Sequence, residues 1–373
     1  MKFFSFEYSM LTLIITSVLI LILQSQITTN NEYRNDVYAL DKINSHGFNF
    51  AAAGDWGCNH NTTNTIRNII HKDPELVLGL GDFSYRDNAD CWLRYADALY
   101  ALGVKLKITF GNHDHLSYPA ESLTYHSPDR LQQYINHFNL SKQYYSFNRQ
   151  NVHFIAMSTE VPFELGSNQY NFVKRDLQMS ATDPAINWIV VFYHRLAYTS
   201  PTIVDSIKTL RDTYHPLFQK YGVDLVMQAH SHNYQRTYPV QFNSSDSLNP
   251  IITDKNVTNY YNPKGQIFTI TGTGGAPDIH NFTGPAAPYT AVQFNAYGFL
   301  DIAVTHNGTI LEGNFYANND TLKDHFTIDK SKDIDKSTVQ SNPSKDSKSL
   351  RENDQIASGF PQKHSKPNAN SHK

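Results

Sequence analysis

The chain reads as an α/β domain, a parallel sheet with a second sheet packed on it, on three observations. Short apolar runs alternate with helix-period stretches from residue 48 to residue 228, the pattern of right-handed strand, helix, strand crossovers. Several of these runs end in a cluster of oxygen- and nitrogen-bearing side chains, as ligands do at the carboxyl edge of an α/β sheet. From residue 266 onward, strand runs and turns follow one another to about residue 328.

Phe48-Asn49-Phe50-Ala51-Ala52-Ala53 is a first strand running into Gly54-Asp55. Residues 62–71 place Ile66, Ile69 and Ile70 at helical spacing and stop at Asp73-Pro74, where the proline ends the helix. Residues 76–80 are a buried strand ending at Gly81-Asp82, 90–102 a helix, and 106–110 a strand ending at Gly111-Asn112. Further strands fall at 152–157 and 188–193, a helix at 212–221, and a strand at 225–228 that delivers His230 and His232. Residues 266–271 lead into the Gly272-Thr273-Gly274-Gly275 turn, and 298–305, Asn307-Gly308 and 310–316 carry a hairpin signature.

Four segments follow from composition. Residues 1–27 include an apolar stretch at 10–23 and read as a signal peptide or N-terminal membrane anchor; no small-x-small cleavage pattern follows it. Residues 28–47 are a polar linker, 48–328 the catalytic domain, and 329–373 a polar tail with too little apolar surface to offset its ordering entropy. Export to the cell surface or beyond is the expected destination, with a membrane as partner if the apolar segment is uncleaved. Cys58 and Cys91 each follow a ligand-bearing block and meet if those blocks crown neighbouring strands. Asn-x-Ser/Thr sequons occur, as chance provides in a chain this rich in Asn, Ser and Thr. A net charge of −3 argues against a nucleic-acid groove, and no obligate protein partner is implied.

The chemistry lies in five blocks: Gly54-Asp55-Trp56-Gly57, Gly81-Asp82-Phe83-Ser84-Tyr85, Gly111-Asn112-His113-Asp114, Val191-Phe192-Tyr193-His194 and Ala229-His230-Ser231-His232. Together they supply what a two-metal centre needs: a carboxylate able to bridge, terminal ligands for each ion, and open positions for water and a phosphoryl oxygen. Asp82 is the expected bridge. Asp55, Tyr85 and His232 complete one ion's shell; Asn112, His194 and His230 complete the other's. The first shell has two anionic ligands of its own and suits a trivalent ion, while the second suits a divalent one. A phenol, with an ordinary pKa near 10, gives up its proton at neutral pH only to a strongly Lewis-acidic ion, and Fe(III) is the candidate. His113 is placed to protonate a leaving alkoxide, with Asp114 raising its basicity; His115 and Arg195 are candidate phosphate contacts by position. No serine or cysteine shows a paired base, so water activated by the ions is the expected nucleophile.

These blocks in this order resemble the calcineurin-like metallophosphoesterases, and Gly81-Asp82-x-x-Tyr85 with Gly111-Asn112-His113-Asp114 looks like the purple acid phosphatase branch. Asn233-Tyr234-Gln235-Arg236 after the paired histidines and the run Gly272 to Ala276 extend the match. The resemblance implies a four-layer αββα sandwich of two mixed β-sheets flanked by helices. It further implies Fe(III) on Asp55, Asp82, Tyr85 and His232, a divalent Fe, Zn or Mn on Asp82, Asn112, His194 and His230, and an acid phosphatase acting on small phosphate monoesters. Ala229 stands where the family has glycine, and there is no room before the first motif for the N-terminal β-sandwich domain of larger plant-type members. Two competing readings are a phosphodiesterase or nucleotide pyrophosphatase on the same scaffold and a catalytically decayed, surface-displayed binding protein.

Overall fold

In the computed structural model, residues 47–85, 89–114 and 130–331 are described. The apolar stretch at 10–23, the linker, the tail beyond residue 331 and His115 lie outside them. No helix among the described residues is long and apolar enough to cross a membrane.

Two seven-stranded sheets face each other. The first runs β11-β16-β15-β14-β1-β2-β3 and the second β13-β8-β12-β7-β6-β5-β4. In the first, β1 (Phe48–Ala53), β2 (Leu76–Gly79) and β3 (Lys105–Ile108) are parallel. β14 (Gly298–Thr305), β15 (Ile310–Ala317) and β16 (Leu322–Asp329) add to them as an antiparallel meander, edged by β11 (Asn259–Tyr261). In the second, β5 (Val152–Ala156), β6 (Trp188–Phe192), β7 (Leu225–Gln228) and β12 (Ile267–Thr271) are parallel. β4 (Tyr145–Arg149), β8 (Tyr234–Thr237) and β13 (Thr290–Phe294) pair antiparallel at its flanks, while β9 (Val240–Gln241) and β10 (Ile251–Ile252) form a small ribbon outside it.

The period of two along each strand assigns the layers. Phe48, Phe50 and Ala52 meet Val152, Phe154, Ala156, Trp188 and Val190 in the core between the sheets. Ala51, Ala53 and Val77 point the other way, onto Ile66 and Ile69 of α1 (His60–Lys72), Trp92, Ala96 and Leu99 of α2 (Asp90–Ala101), and Tyr134 of α3 (Arg130–His137). Ile155, Ile189 and Val191 meet Val173 and Leu177 of α4 (Asn168–Ser180) and Leu210, Tyr214 and Phe218 of α5 (Lys208–Tyr221). This is the expected αββα sandwich. Helix α5 starts four residues before the expected 212 and runs through Pro216.

The sheets are fastened at both sides. Arg236 on β8 forms a bidentate pair with Asp324 on β16, and on the other side Tyr145 on β4 donates to the main-chain oxygen of Ile108 on β3 at 2.7 Å. The hairpin between β14 and β15 turns through His306, Asn307 and Gly308, all at positive φ, as the Asn-Gly pair predicts. The Gly308 oxygen accepts from Trp188 Nε1 at 2.7 Å, so this turn also clips one sheet to the other. Cys58 and Cys91 are joined as a disulfide, linking the loop after β1 to the start of α2.

Candidate metal centre

Five of the parallel strands end by handing a polar side chain to one edge of the sandwich. Asp55 follows β1, Asp82 follows β2, Asn112 follows β3, His194 follows β6 and His230 follows β7. Asp55, Asp82 and His230 adopt left-handed backbone angles, φ 60°, 52° and 65°, sparsely populated for residues with a Cβ and found where surrounding structure holds a chain for function. Glycines make the room. A Cβ at Gly111 would stand 2.2 Å from Asp82 Oδ1, and one at Gly272 would stand 2.0 Å from the Ser231 oxygen and 2.8 Å from Asp55 Oδ2. Ala229 is tolerated because Gly54 faces it: a Cβ on Gly54 would lie 2.6 Å from the Ala229 methyl.

Two groups of donors result. In one, His194 Nδ1 donates to the Leu80 oxygen at 2.9 Å, which turns Nε2 inward. That Nε2 lies 3.2 Å from each of Asp82 Oδ2, Asn112 Oδ1 and His230 Nδ1. In the other, the Tyr85 hydroxyl lies 3.0 Å from Asp55 Oδ1 and 2.8 Å from His232 Nε2, and His232 Nδ1 donates to the Asp278 oxygen at 3.0 Å. Asp55 Oδ2 accepts the His230 N–H at 2.8 Å, so the groups adjoin. Asp82 Oδ1 accepts the His113 N–H at 2.7 Å.

Such a buried convergence of carboxylates, imidazoles and a phenol favours positive charge among them. Charge behaves accordingly. Burial alone would lower His194, yet the Asp82 carboxylate outweighs it and raises the imidazole to about 10, so the site draws a positive charge where a metal would sit. His230 is pushed down to about 2 by burial and by His194, and presents a neutral imidazole, the form that ligates metals. Burial, with Asp55 second, drives the Tyr85 phenol well above its ordinary value, so only a strongly Lewis-acidic ion would ionise it. The donor set therefore fits a pair of ions.

Seven of the expected residues thus come together: Asp55, Asp82, Tyr85, Asn112, His194, His230 and His232. His113 packs its ring 4.4 Å from that of Tyr85 at the same edge, and burial lowers its pKa. Asp114 stands in a different setting from the one its neighbour suggested: its carboxylate accepts the main-chain N–H groups of Asp82, Phe83 and Gly111 at 2.7, 2.8 and 2.9 Å, and burial raises it to about 7. It binds the ligand-bearing loops to each other. Arg195 forms a bidentate pair with Glu160, Nε at 2.7 Å and Nη2 at 3.1 Å. Glu160, Asp278 and His280 escaped the sequence reading because each sits in a loop without periodicity or motif.

The calcineurin-like phosphoesterase profile matches residues 48–234. Purple acid phosphatase 15 of Arabidopsis thaliana is 28% identical over 232 residues, 54% of this chain and 43% of that protein. Acid phosphatase type 7 of Homo sapiens is 28% identical over 263 residues, 63% of this chain and 56% of that protein. The chain spans about half the length of the curated relatives it matches. Among solved structures, a purple acid phosphatase from yellow lupin (Lupinus luteus) seeds superimposes with a TM-score of 0.64 at 22% identity, covering 77% of this chain and 54% of that one. The anchor in the inner membrane complex of Plasmodium gives 0.55 at 15% identity, covering 77% and 90%. Those two likenesses bear on fold, and the profile on descent: this chain belongs to the calcineurin-like phosphoesterase family.

Proposed function

We propose that this protein is a dinuclear-metal acid phosphatase that hydrolyses small phosphate monoesters. The observation that carries the proposal is the convergence of His194 Nε2, Asp82 Oδ2, Asn112 Oδ1 and His230 Nδ1 at 3.2 Å around His194, beside the Asp55, Tyr85 and His232 triad. Asp82 as the bridge between the ions, Fe(III) on the Tyr85 side and divalent Fe, Zn or Mn on the His194 side belong to the same reading. When bound, the ions supply charge neutralisation and an activated water for in-line displacement at phosphorus.

The protein's own residues do the rest. Asp114 fixes the loops of Asp82 and Asn112 through its main-chain hydrogen bonds, keeping both donors in place before substrate arrives. The His113 imidazole, seated against Tyr85, delivers its proton to the departing alkoxide oxygen. Arg195, held by Glu160, stands next to His194 and orients a phosphoryl oxygen. The buried Cys58–Cys91 disulfide is at home in an oxidising compartment and supports export together with the apolar stretch at 10–23.

The test is p-nitrophenyl phosphate hydrolysis beside elemental analysis and an optical spectrum. Two ions per chain, a broad visible phenolate-to-iron band and monoester turnover are expected. Asp82→Ala should cost at least about a thousand-fold in kcat/KM, about 4 kcal/mol of transition-state stabilisation. An unaffected Asp82→Ala protein would overturn the proposal, a colourless zinc protein would remove its iron half, and preferred cleavage of the bis-ester would replace the monoester assignment.

A further inference from the structure

We propose that His280, with the main-chain oxygen of Asp278, is the positioning device that keeps His232 in place as a metal ligand; the inference rests on the dinuclear reading above. His232 lies in the irregular turn between β7 and β8, so no strand hydrogen bonding sets its ring. The Asp278 oxygen, by accepting from His232 Nδ1, forces the lone pair onto Nε2, the atom that faces Tyr85 and Asp55. His280 completes the fixture. Its ring lies flat on the His232 ring, centroids 3.8 Å apart and 15° from parallel. His280 Nδ1 accepts the main-chain N–H of His232 at 3.1 Å, and the His280 N–H donates to the His232 oxygen at 3.2 Å. Asn233 Nδ2 in turn donates to the His280 oxygen at 2.8 Å. The ligand is thus gripped by stacking, by a side-chain acceptor and by main chain at once.

The same three side chains, His232, Asp278 and His280, bring ligand atoms within 4.8 Å of one another, which invites a third ion. Proton placement argues against it. His232 Nδ1 carries a proton because it donates to a carbonyl, and His280 Nδ1 spends its lone pair on an N–H, leaving the proton of the neutral ring on Nε2, 3.7 Å from Asp278 Oδ2. Neither inner nitrogen has a lone pair to give. His280 therefore acts through His232, and the Asp278 carboxylate, 66% exposed, lies 3.4 Å from His232 Nδ1 and 3.7 Å from His280 Nε2, on the protonated side of each ring.

The experiment titrates metal-loaded protein with a chelator and reads ions per chain and the visible band, with circular dichroism to establish folding. Wild type should hold two ions. His280→Ala should release the Tyr85-side ion at about ten-fold lower chelator concentration, with loss of the band, while the other ion is retained. His280→Asn, whose Oδ1 replaces Nδ1 as acceptor, should stay within about three-fold of wild type. His280→Phe keeps the ring but strands the His232 N–H, and should fall between; should the alanine variant fail to fold, these two carry the test. Wild-type retention in folded His280→Ala, or in His280→Phe, overturns the inference, as does equal loss of both ions or a third ion abolished with His280. Two ions and these losses in a protein without esterase activity would sustain this inference and sink the proposed function; a wild type that binds no ion sinks both.

Discussion

Two buried polar clusters arise within residues 230–236, and only one of them is built around a guanidinium. At the strand end, His230 and His232 join Asp55, Asp82, Tyr85, Asn112 and His194 in a nest of lone pairs. A few residues on, Arg236 is fully buried and binds Asp324 through Nε and Nη2 at 2.6 and 2.8 Å, Tyr260 through Nη1 at 2.8 Å and the Val257 oxygen at 2.9 Å. Tyr234 donates to the same Asp324, and the guanidinium sits 4.6 Å over the Phe326 ring. Both clusters are buried and acidic. The guanidinium satisfies one of them permanently, so it serves the fold; the other offsets its carboxylates only with titratable imidazoles, which a charge from outside can replace.

The largest effect should come from breaking the satisfied cluster. Arg236→Ala strands Asp324 in the core and removes the tie between β8 and β16, at a cost of about 3–5 kcal/mol. Denaturant unfolding should show that loss with or without added metal, while the fraction still folded keeps its ions. Asp82→Ala should do the reverse, leaving metal-free stability within about 1 kcal/mol and abolishing the stabilisation that metal gives wild type. If Asp82→Ala destabilised metal-free protein as much as Arg236→Ala does, the contrast between the clusters would vanish.

A smaller effect tests whether the metal edge is itself preorganised. The Cys58–Cys91 disulfide closes 33 residues and links the loop of Asp55 to the helix that follows Asp82 and Tyr85. A double Cys58→Ala, Cys91→Ala variant should lose about 3.7 kcal/mol by loop entropy alone. If the crosslink also aligns the ligands, the Tyr85-side ion should dissociate more readily at temperatures where the variant remains folded. Unchanged retention would confine the disulfide to stability.

The difference between the clusters also explains what the sequence revealed. The expected ligands were legible because Asp55, Asp82 and Asn112 follow a buried strand and a glycine, His194 and His230 follow buried apolar runs, and Tyr85 gained meaning only from its spacing to Asp82. The parallel strands were legible from fully buried apolar runs such as Trp188–Phe192. Strand β4, half-exposed at a sheet edge, and β8, whose Gln235 and Arg236 are buried by their partners rather than by apolarity, gave no such run. Asp114 shows a deeper limit: a carboxylate beside a histidine reads the same whether it serves the imidazole or a neighbouring loop, and only the fold brought the N–H groups of Asp82 and Phe83 to it. The Leu80 and Asp278 oxygens that set the histidine tautomers are main chain, which sequence never distinguishes.

Asp301 supplies the mildest test, a half-buried acid with neither an internal guanidinium nor a place at the strand ends. It lies mid-strand in β14, opposite Ala51 and Asn314, and its Oδ1 has no hydrogen-bond partner. Burial pushes its carboxyl up to about 7, only partly countered by Lys72. A folded pKa above the unfolded value near 3.9 means both states are protonated below about pH 4, and no penalty exists there. As pH rises from about 4 to 7 the unfolded state ionises more readily than the folded one, and stability is lost until it levels off above the folded pKa. Asp301→Asn removes that titration, and because solvent screens a half-buried carboxylate only a fraction of the full linkage applies: the variant should match wild type near pH 4 and exceed it by about 1 kcal/mol, roughly 2 °C in Tm, at pH 8. A gain of equal size at both pH values would assign the effect to packing. A loss at pH 8 would show that the charged form of Asp301 is held by a cation after all, as Asp324 is.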